Sequence, residues 1–171
     1  MRENFTEIEF SSDLPNLTGS LLFENRNPPA VGEKFVVFFL DDELFAVAAA
    51  QVSEVVRPPD VTALPRVPEW LLGIAHLRGE IITVVDLSKL LNKPHSRTSA
   101  KPKLIVLHSP DARARIAFLV DKLSEMTTLP ADEIEFCRAT SPFVFGRAAH
   151  QTNSLNLLDA RALVSSLRLH G

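Results

Sequence analysis

Phe35-Val36-Val37-Phe38-Phe39-Leu40 is an unbroken apolar run bounded by Asp41-Asp42. A run this short, rich in Val and Phe and closed by turn residues, predicts a buried strand. Asp41-Asp42-Glu43 reads as a hairpin turn and Leu44-Phe45-Ala46-Val47 as the returning strand. Val52, Val55 and Val56 mark a third element, ended by Pro58-Pro59. From Asp60 to Pro68 the chain is turn-rich, and Pro58, Pro59 and Pro65 exclude a central strand there. Pro68-Glu69-Trp70-Leu71 predicts one helical turn with proline at its first position. Gly73 to Arg78 alternates as a strand, Gly79-Glu80 is a tight turn, and Ile81 to Val85 is the next strand. Leu87 to Leu91 predicts a short helix that ends before Pro94.

After a polar stretch from Asn92 to Pro102, the same order returns. Lys103 to Leu107 predicts a strand, Ser109-Pro110-Asp111 a turn, and Arg115 to Val120 and Leu123 to Thr127 two more strands. Leu129-Pro130 mirrors Leu64-Pro65; Leu155 to Leu158 is the last strand and Ala160 to Leu169 a C-terminal helix. The echo extends to the residues. Phe45-Ala46-Val47 and Val52-Ser53-Glu54-Val55 return as Ile116-Ala117-Phe118 and Leu123-Ser124-Glu125-Met126, 71 positions on. Val84-Val85-Asp86-Leu87 returns as Leu157-Leu158-Asp159-Ala160, 73 positions on. Two matched blocks in the same order indicate a duplicated unit of about seventy residues. Many short strands broken by Gly, Pro and Asp predict an all-β fold. Two halves of about five strands each suit two small barrels packed side by side, an arrangement that removes exposed strand edges.

Residues 1–33 differ from the rest. Glu24-Asn25-Arg26-Asn27-Pro28-Pro29 and Gly32 form a polar, turn-rich linker, preceded by scattered apolar positions such as Phe5, Ile8, Phe10, Leu14 and Leu17. This N-terminal extension reads either as a flexible tail with local docking or as a short partner-binding segment. Residues 34–171 form the domain. No long apolar run marks a signal peptide or a membrane span, so a cytoplasmic protein is expected.

Composition narrows the function. The chain has 171 residues, 46% of them hydrophobic, which is ample for a core. Eighteen basic and 21 acidic residues give a net charge of −3, without the basic footprint of a nucleic-acid binder. Cys137 is the single cysteine and forms no internal disulfide. The five histidines, His76, His95, His108, His150 and His170, lack metal-site spacing. There is no phosphate-cradling glycine loop and no Gly-x-Ser-x-Gly turn. Asp86 and Asp159 are related by the duplication, and each ends a strand ahead of a short helix. A capping carboxylate explains both at once, so their role reads as structural. No catalytic set, metal or cofactor is expected.

Leu72-Gly73-Ile74-Ala75-His76-Leu77-Arg78-Gly79-Glu80-Ile81-Ile82-Thr83-Val84-Val85-Asp86-Leu87 resembles the CheW family of bacterial chemotaxis coupling proteins. Phe45-Ala46-Val47, Val52-Ser53-Glu54-Val55 and Leu119-Val120-Asp121-Lys122-Leu123-Ser124-Glu125 extend the likeness to about residues 34–166. His76, Thr83, Ser88 and Ala117 stand where the family prefers Asn, Pro, Arg and Gly, and Phe136 to Asn153 has no clear counterpart. The resemblance implies two intertwined five-stranded β-barrel subdomains with short helices. It implies a non-enzymatic adaptor between the cytoplasmic tip of a chemoreceptor and the regulatory domain of a CheA-type histidine kinase. Such an adaptor is recruited to membrane receptor arrays without inserting into the membrane, and the receptor tip binds a groove between the barrels. Val52, Glu54, Gly73 and Arg78 match family positions associated with receptor or kinase coupling.

The chemistry of these residues admits more than one role. Arg78 either offers a forked bond to a partner carboxylate or forms an internal salt bridge to Glu54 or Asp86, and both can hold. Gly73 would let a partner backbone approach closely. Val52 and Val55 read either as core residues or as partner contacts, and strand alternation lets only one of them face a partner. Glu54 is either a solvated charge or a partner contact. Two other classes compete: a small β-barrel nucleic-acid-binding module, which needs interleaved basic and aromatic residues, and an enzyme on a β scaffold.

Overall fold

Twelve strands and two short helices are present in the computed structural model, which describes residues 31–94, 101–108, 115–137 and 141–168. The chain divides into two units, residues 1–31 and residues 32–171, and the strands lie in the second. The first half supplies β1 (Glu33–Leu40), β2 (Glu43–Ala48), β3 (Val52–Val56), β4 (Val61–Thr62), β5 (Leu71–Leu77), β6 (Glu80–Asp86) and α1 (Leu87–Leu90). The second half supplies β7 (Lys103–Leu107), β8 (Arg115–Val120), β9 (Lys122–Leu129), β10 (Ile134–Phe136), β11 (Val144–His150), β12 (Asn153–Leu158) and α2 (Ala160–Arg168). Among the described residues no helix is long and apolar enough to cross a membrane.

The strands form two six-stranded sheets, in the orders β10-β11-β12-β2-β1-β9 and β3-β7-β8-β6-β5-β4. Read from opposite ends, these are the same order with the halves interchanged. Each half donates its first hairpin to the other half's sheet. Hairpin β1–β2 enters the first sheet between β12 and β9, and hairpin β7–β8 enters the second between β6 and β3. The entry point is a parallel pair in both cases. Leu155 lies opposite Leu44, and 73 and 71 positions away Ile82 lies opposite Arg115. The subdomains are therefore intertwined, as the family resemblance implies, and each is an open six-stranded sheet where five strands closed into a barrel were expected.

Irregularities repeat as well. An extra residue bulges from β3 against β7 next to Val52, and another from β9 against β1 next to Leu123. The β5–β6 pair shifts register between Leu71 and Gly73; the β11–β12 pair shifts between Val144 and Gly146. Duplicated bulges are designed features that bend a strand and let a sheet curl.

This exchange explains the unbroken apolar runs. Val36 and Phe38 face a central core shared by both sheets, while Phe35 and Val37 face a second cluster inside the first sheet. Ile105 and Leu107 join the same central core, while Leu104 and Val106 face a third cluster inside the second sheet. A strand buried on both faces has no polar side to show. Phe35, Phe38 and Phe45 are fully buried, each contributing roughly 1.5–3 kcal/mol. Leu163 of α2 closes the central core.

Three local expectations change. Pro68 to Trp70 is a turn closed by Leu71 N–H donating to the Pro68 carbonyl at 3.0 Å, not a helical turn, because Leu71 already begins β5. The β5–β6 turn is Arg78-Gly79, not Gly79-Glu80, since Leu77 pairs with Glu80. Strands β10 and β11 have no counterpart in the sequence pattern, because Gly146 and its bulge break alternation. The short β4 lies between the prolines, at a sheet edge where they are tolerated. The expected Ser109-Pro110-Asp111 turn, Leu169 and most of the N-terminal extension lie outside the described residues.

Because each sheet needs a hairpin from the other half, neither half completes a sheet alone. Residues 1–97 and 98–171, expressed separately, are expected to show little β-sheet circular dichroism. Mixed or co-expressed, they regain it and co-elute as one complex. Independent folding of either fragment would contradict the exchanged topology.

Candidate functional site

Three strands and one turn bring charged residues together at one rim of the second sheet. Arg78 and Gly79 occupy the two-residue turn between β5 and β6, with φ of 52° and 82°. A tight hairpin of this kind needs positive φ at both central positions, which Gly79 supplies freely and Arg78 tolerates. The turn holds Arg78 clear of the sheet, with its side chain 74% exposed. Its Nε donates to Glu54 Oε2 at 2.9 Å, so the internal salt bridge is to Glu54 on β3 and not to Asp86. Three strands, β7, β8 and β6, lie between β3 and β5 in hydrogen-bonding order, and this contact spans the curl of the sheet.

Arg115, the first residue of β8, lies beneath this pair. Its Nη1 donates to Glu80 on β6. Its Nη2 donates to Ser53 Oγ at 3.0 Å and to Glu54 Oε1 at 3.4 Å. Glu54 thus bridges two guanidinium groups, one on each carboxylate oxygen. The Glu80 hydrogen bond raises the Arg115 pKa further above the ordinary arginine range; desolvation opposes this, and Glu54 adds to the rise. Arg115 therefore carries its charge at every working pH.

The remaining candidate residues have structural neighbours of their own chain. Val52 and Val55 both pack against the central core. The bulge between them breaks the two-residue period, so the expectation that they face opposite sides fails. Gly73 has φ of 140°, and a Cβ there would stand 2.0 Å from the Thr62 carbonyl oxygen. The backbone that comes close to Gly73 is thus the chain's own β4, not a partner's. Asp86 is 2% exposed and caps α1 by accepting from Lys89 N–H at 3.2 Å. Asp159 accepts from Ala162 N–H at 3.1 Å at the start of α2, as the duplication requires.

The opposite rim, in the first sheet, has the same backbone and different chemistry. Glu125 stands in for Glu54, Gln151 for Arg78, Leu44 for Arg115 and Asn153 for Glu80. Gln151 takes φ of 54° and donates Nε2 to Glu125 Oε1 at 3.2 Å, and His150 Nε2 lies 2.9 Å from the same oxygen. Arg115 and Glu80 carry no signal in the sequence pattern, and only their juxtaposition marks them. A separate cleft of about 460 Å³, lined by Phe45, Leu90, Leu91, Phe143 and Arg147 among others, shares no residue with either rim. Among the described residues no group of three or more His, Cys, Asp or Glu could hold a metal ion.

The family model for the CheW-like domain matches residues 34–168. The chain belongs to the CheW-like family. It is 26% identical over 138 residues to the chemotaxis protein CheW of Bacillus subtilis, covering 78% of this chain and 87% of that protein. It is 34% identical over 74 residues to protein FrzA of Myxococcus xanthus, covering 43% of this chain and 46% of that protein. Among solved structures, the scaffolding protein TtCheW of Thermoanaerobacter tengcongensis superposes with a TM-score of 0.70 at 28% identity, covering 80% of this chain and 88% of that one. The CheW-like match spans β1 to α2 and so includes both rims.

Gly73→Ala is expected to lower stability by roughly 1–3 kcal/mol from backbone strain alone, with the Thr62 clash adding to it. Gly146→Ala, whose Cβ would stand 3.1 Å from the Glu135 carbonyl oxygen, costs less. Urea unfolding of both variants checks the order; equal midpoints would remove the close approach of β4 as the reason for Gly73.

Proposed function

We propose that this protein is a non-enzymatic adaptor that couples chemoreceptors to a CheA-type histidine kinase, in chemotaxis or a related chemosensory pathway. The family match across the whole β domain carries this reading. The relatives named CheW and the solved structure titled a scaffolding protein support it. An adaptor that meets receptor arrays from the cytoplasm needs no membrane segment of its own. It works by its surfaces, and neither a metal nor a nucleotide enters the mechanism.

The contact surface we propose is the rim of the second sheet, with Arg78 as the partner-facing cation and Glu54 as the carboxylate that orients it. An exposed guanidinium fixed at Nε on a rigid turn suits a forked, charge-assisted bond to a carboxylate. Ile81, 55% exposed on the same hairpin, adds apolar surface beside the charge. Val52 and Gly73 serve the same surface indirectly, Val52 by seating β3 on the core and Gly73 by letting β4 close on β5. Both rim arginines are matched by carboxylates, which favours a protein partner over a nucleic-acid backbone.

Pull-down with a receptor cytoplasmic fragment and with a histidine-kinase regulatory domain tests the reading. Arg78→Glu is expected to lose binding to at least one of them, since like-charge juxtaposition at a close interface costs on the order of several kcal/mol. Its melting curve stays near the parent's, because exposed charge changes shift stability by about half a kcal/mol. Parent-like affinity for both partners would remove Arg78 from the interface.

A further inference from the structure

The two rims of this duplicated fold differ at three linked positions, and those differences make a network on one side only. In the second sheet Arg115, Glu80 and Arg78 surround Glu54; in the first sheet Leu44, Asn153 and Gln151 surround Glu125. We infer that Arg115 is the positioning residue that makes the second rim a reader of partner carboxylates, and this rests on the proposed partner contact at Arg78.

An isolated exposed pair such as Arg78 with Glu54 holds its geometry weakly, because ordering two long side chains offsets most of the attraction. Arg115 changes that balance. Its side chain is 17% exposed and begins a central strand, and it is tied to Ser53 and Glu80 as well as to Glu54. It takes Glu54 Oε1, which leaves Oε2 directed to Arg78 Nε. Among the described residues the two terminal nitrogens of Arg78 have no other hydrogen-bond partner. They form the two-pronged edge that matches a carboxylate. The four charges, two arginines and two glutamates, balance in the empty rim, so an arriving carboxylate meets a donor pair already oriented. The first rim has Leu44, Asn153 and Gln151 at the matching positions, none of them a guanidinium, and the nearby Arg147, which lines a pocket with Leu44 and Asn153, gives its Nε to Asn156. The partner chemistry that fits the second rim is therefore an Asp or Glu side chain standing on a folded surface.

A double-mutant cycle tests this, using Arg78→Ala, Arg115→Leu and the double variant. Leu is chosen because Leu44 fills the matching position in the first sheet. Isothermal titration is run against the receptor cytoplasmic fragment and the kinase regulatory domain separately. Arg78→Ala is expected to weaken one partner roughly tenfold or more, the size of a charge-assisted hydrogen bond. Arg115→Leu weakens the same partner, and the double variant binds no worse than Arg78→Ala, because the two residues act as one unit. If Arg78→Ala weakens binding while Arg115→Leu does not, or if the losses add, Arg115 has no positioning role although the proposed contact stands. If Arg78→Ala leaves both partners unaffected, the contact itself fails. Should Arg115→Leu melt early, Glu80→Gln at an exposed position replaces it in the same cycle, with the same non-additive loss expected and an additive result overturning the inference.

Discussion

Everything in this β domain depends on the exchange of hairpins between its halves. Strands β2 and β8 each leave their own half and lie parallel to the last strand of the other. Parallel neighbours cannot be joined by a tight turn, so each such pair commits a long stretch of chain before any of its hydrogen bonds form. The central core depends on that commitment. It is built from one face of each exchanged hairpin, with Val36, Phe38, Phe45, Ile105, Leu107 and Phe118 among its members. The two smaller clusters behind it depend on the other faces of the same strands. A single topological constraint thus fixes burial on both sides of four strands.

The same constraint sets the rims. Parallel entry of β8 beside β6 places Arg115 within reach of Glu80, and the curl of the sheet carries Glu54 round to Arg78. Entry of β2 beside β12 builds the matching parallel pair at the other rim, where Leu44 takes the place of Arg115. Duplication gives two equivalent scaffolds. Divergence of a few side chains then gives them different surface chemistry, and specificity lies in such contacts and not in the fold.

Much of this was legible in the residues. The 71- and 73-position echoes revealed the duplication, the apolar run Phe35 to Leu40 located a buried strand and Lys103 to Leu107 another strand, while burial on both faces emerged only from the packing. Asp86 and Asp159 were readable as caps because a carboxylate three residues ahead of a helical N–H has an obvious local partner. Carrying the echo further would have found β11, since Leu71–Leu77 moved by 73 positions is Val144–His150. The alternation pattern missed it because a bulge beside Gly146 shifts the period, as the bulge beside Val52 also misled the reading of Val52 and Val55.

The sequence by itself determined most of the strands, the internal repeat and the local caps, because each of these follows from neighbours within a few residues or from one stretch resembling another. Only the tertiary structure decided which half each hairpin joins. That choice rests on contacts between residues over a hundred positions apart, such as Leu155 beside Leu44, and no local pattern encodes it. The same holds for the rim. Glu54, Arg78, Glu80 and Arg115 come from three strands and a turn, and their charges acquire meaning only when the sheet curls to bring them together.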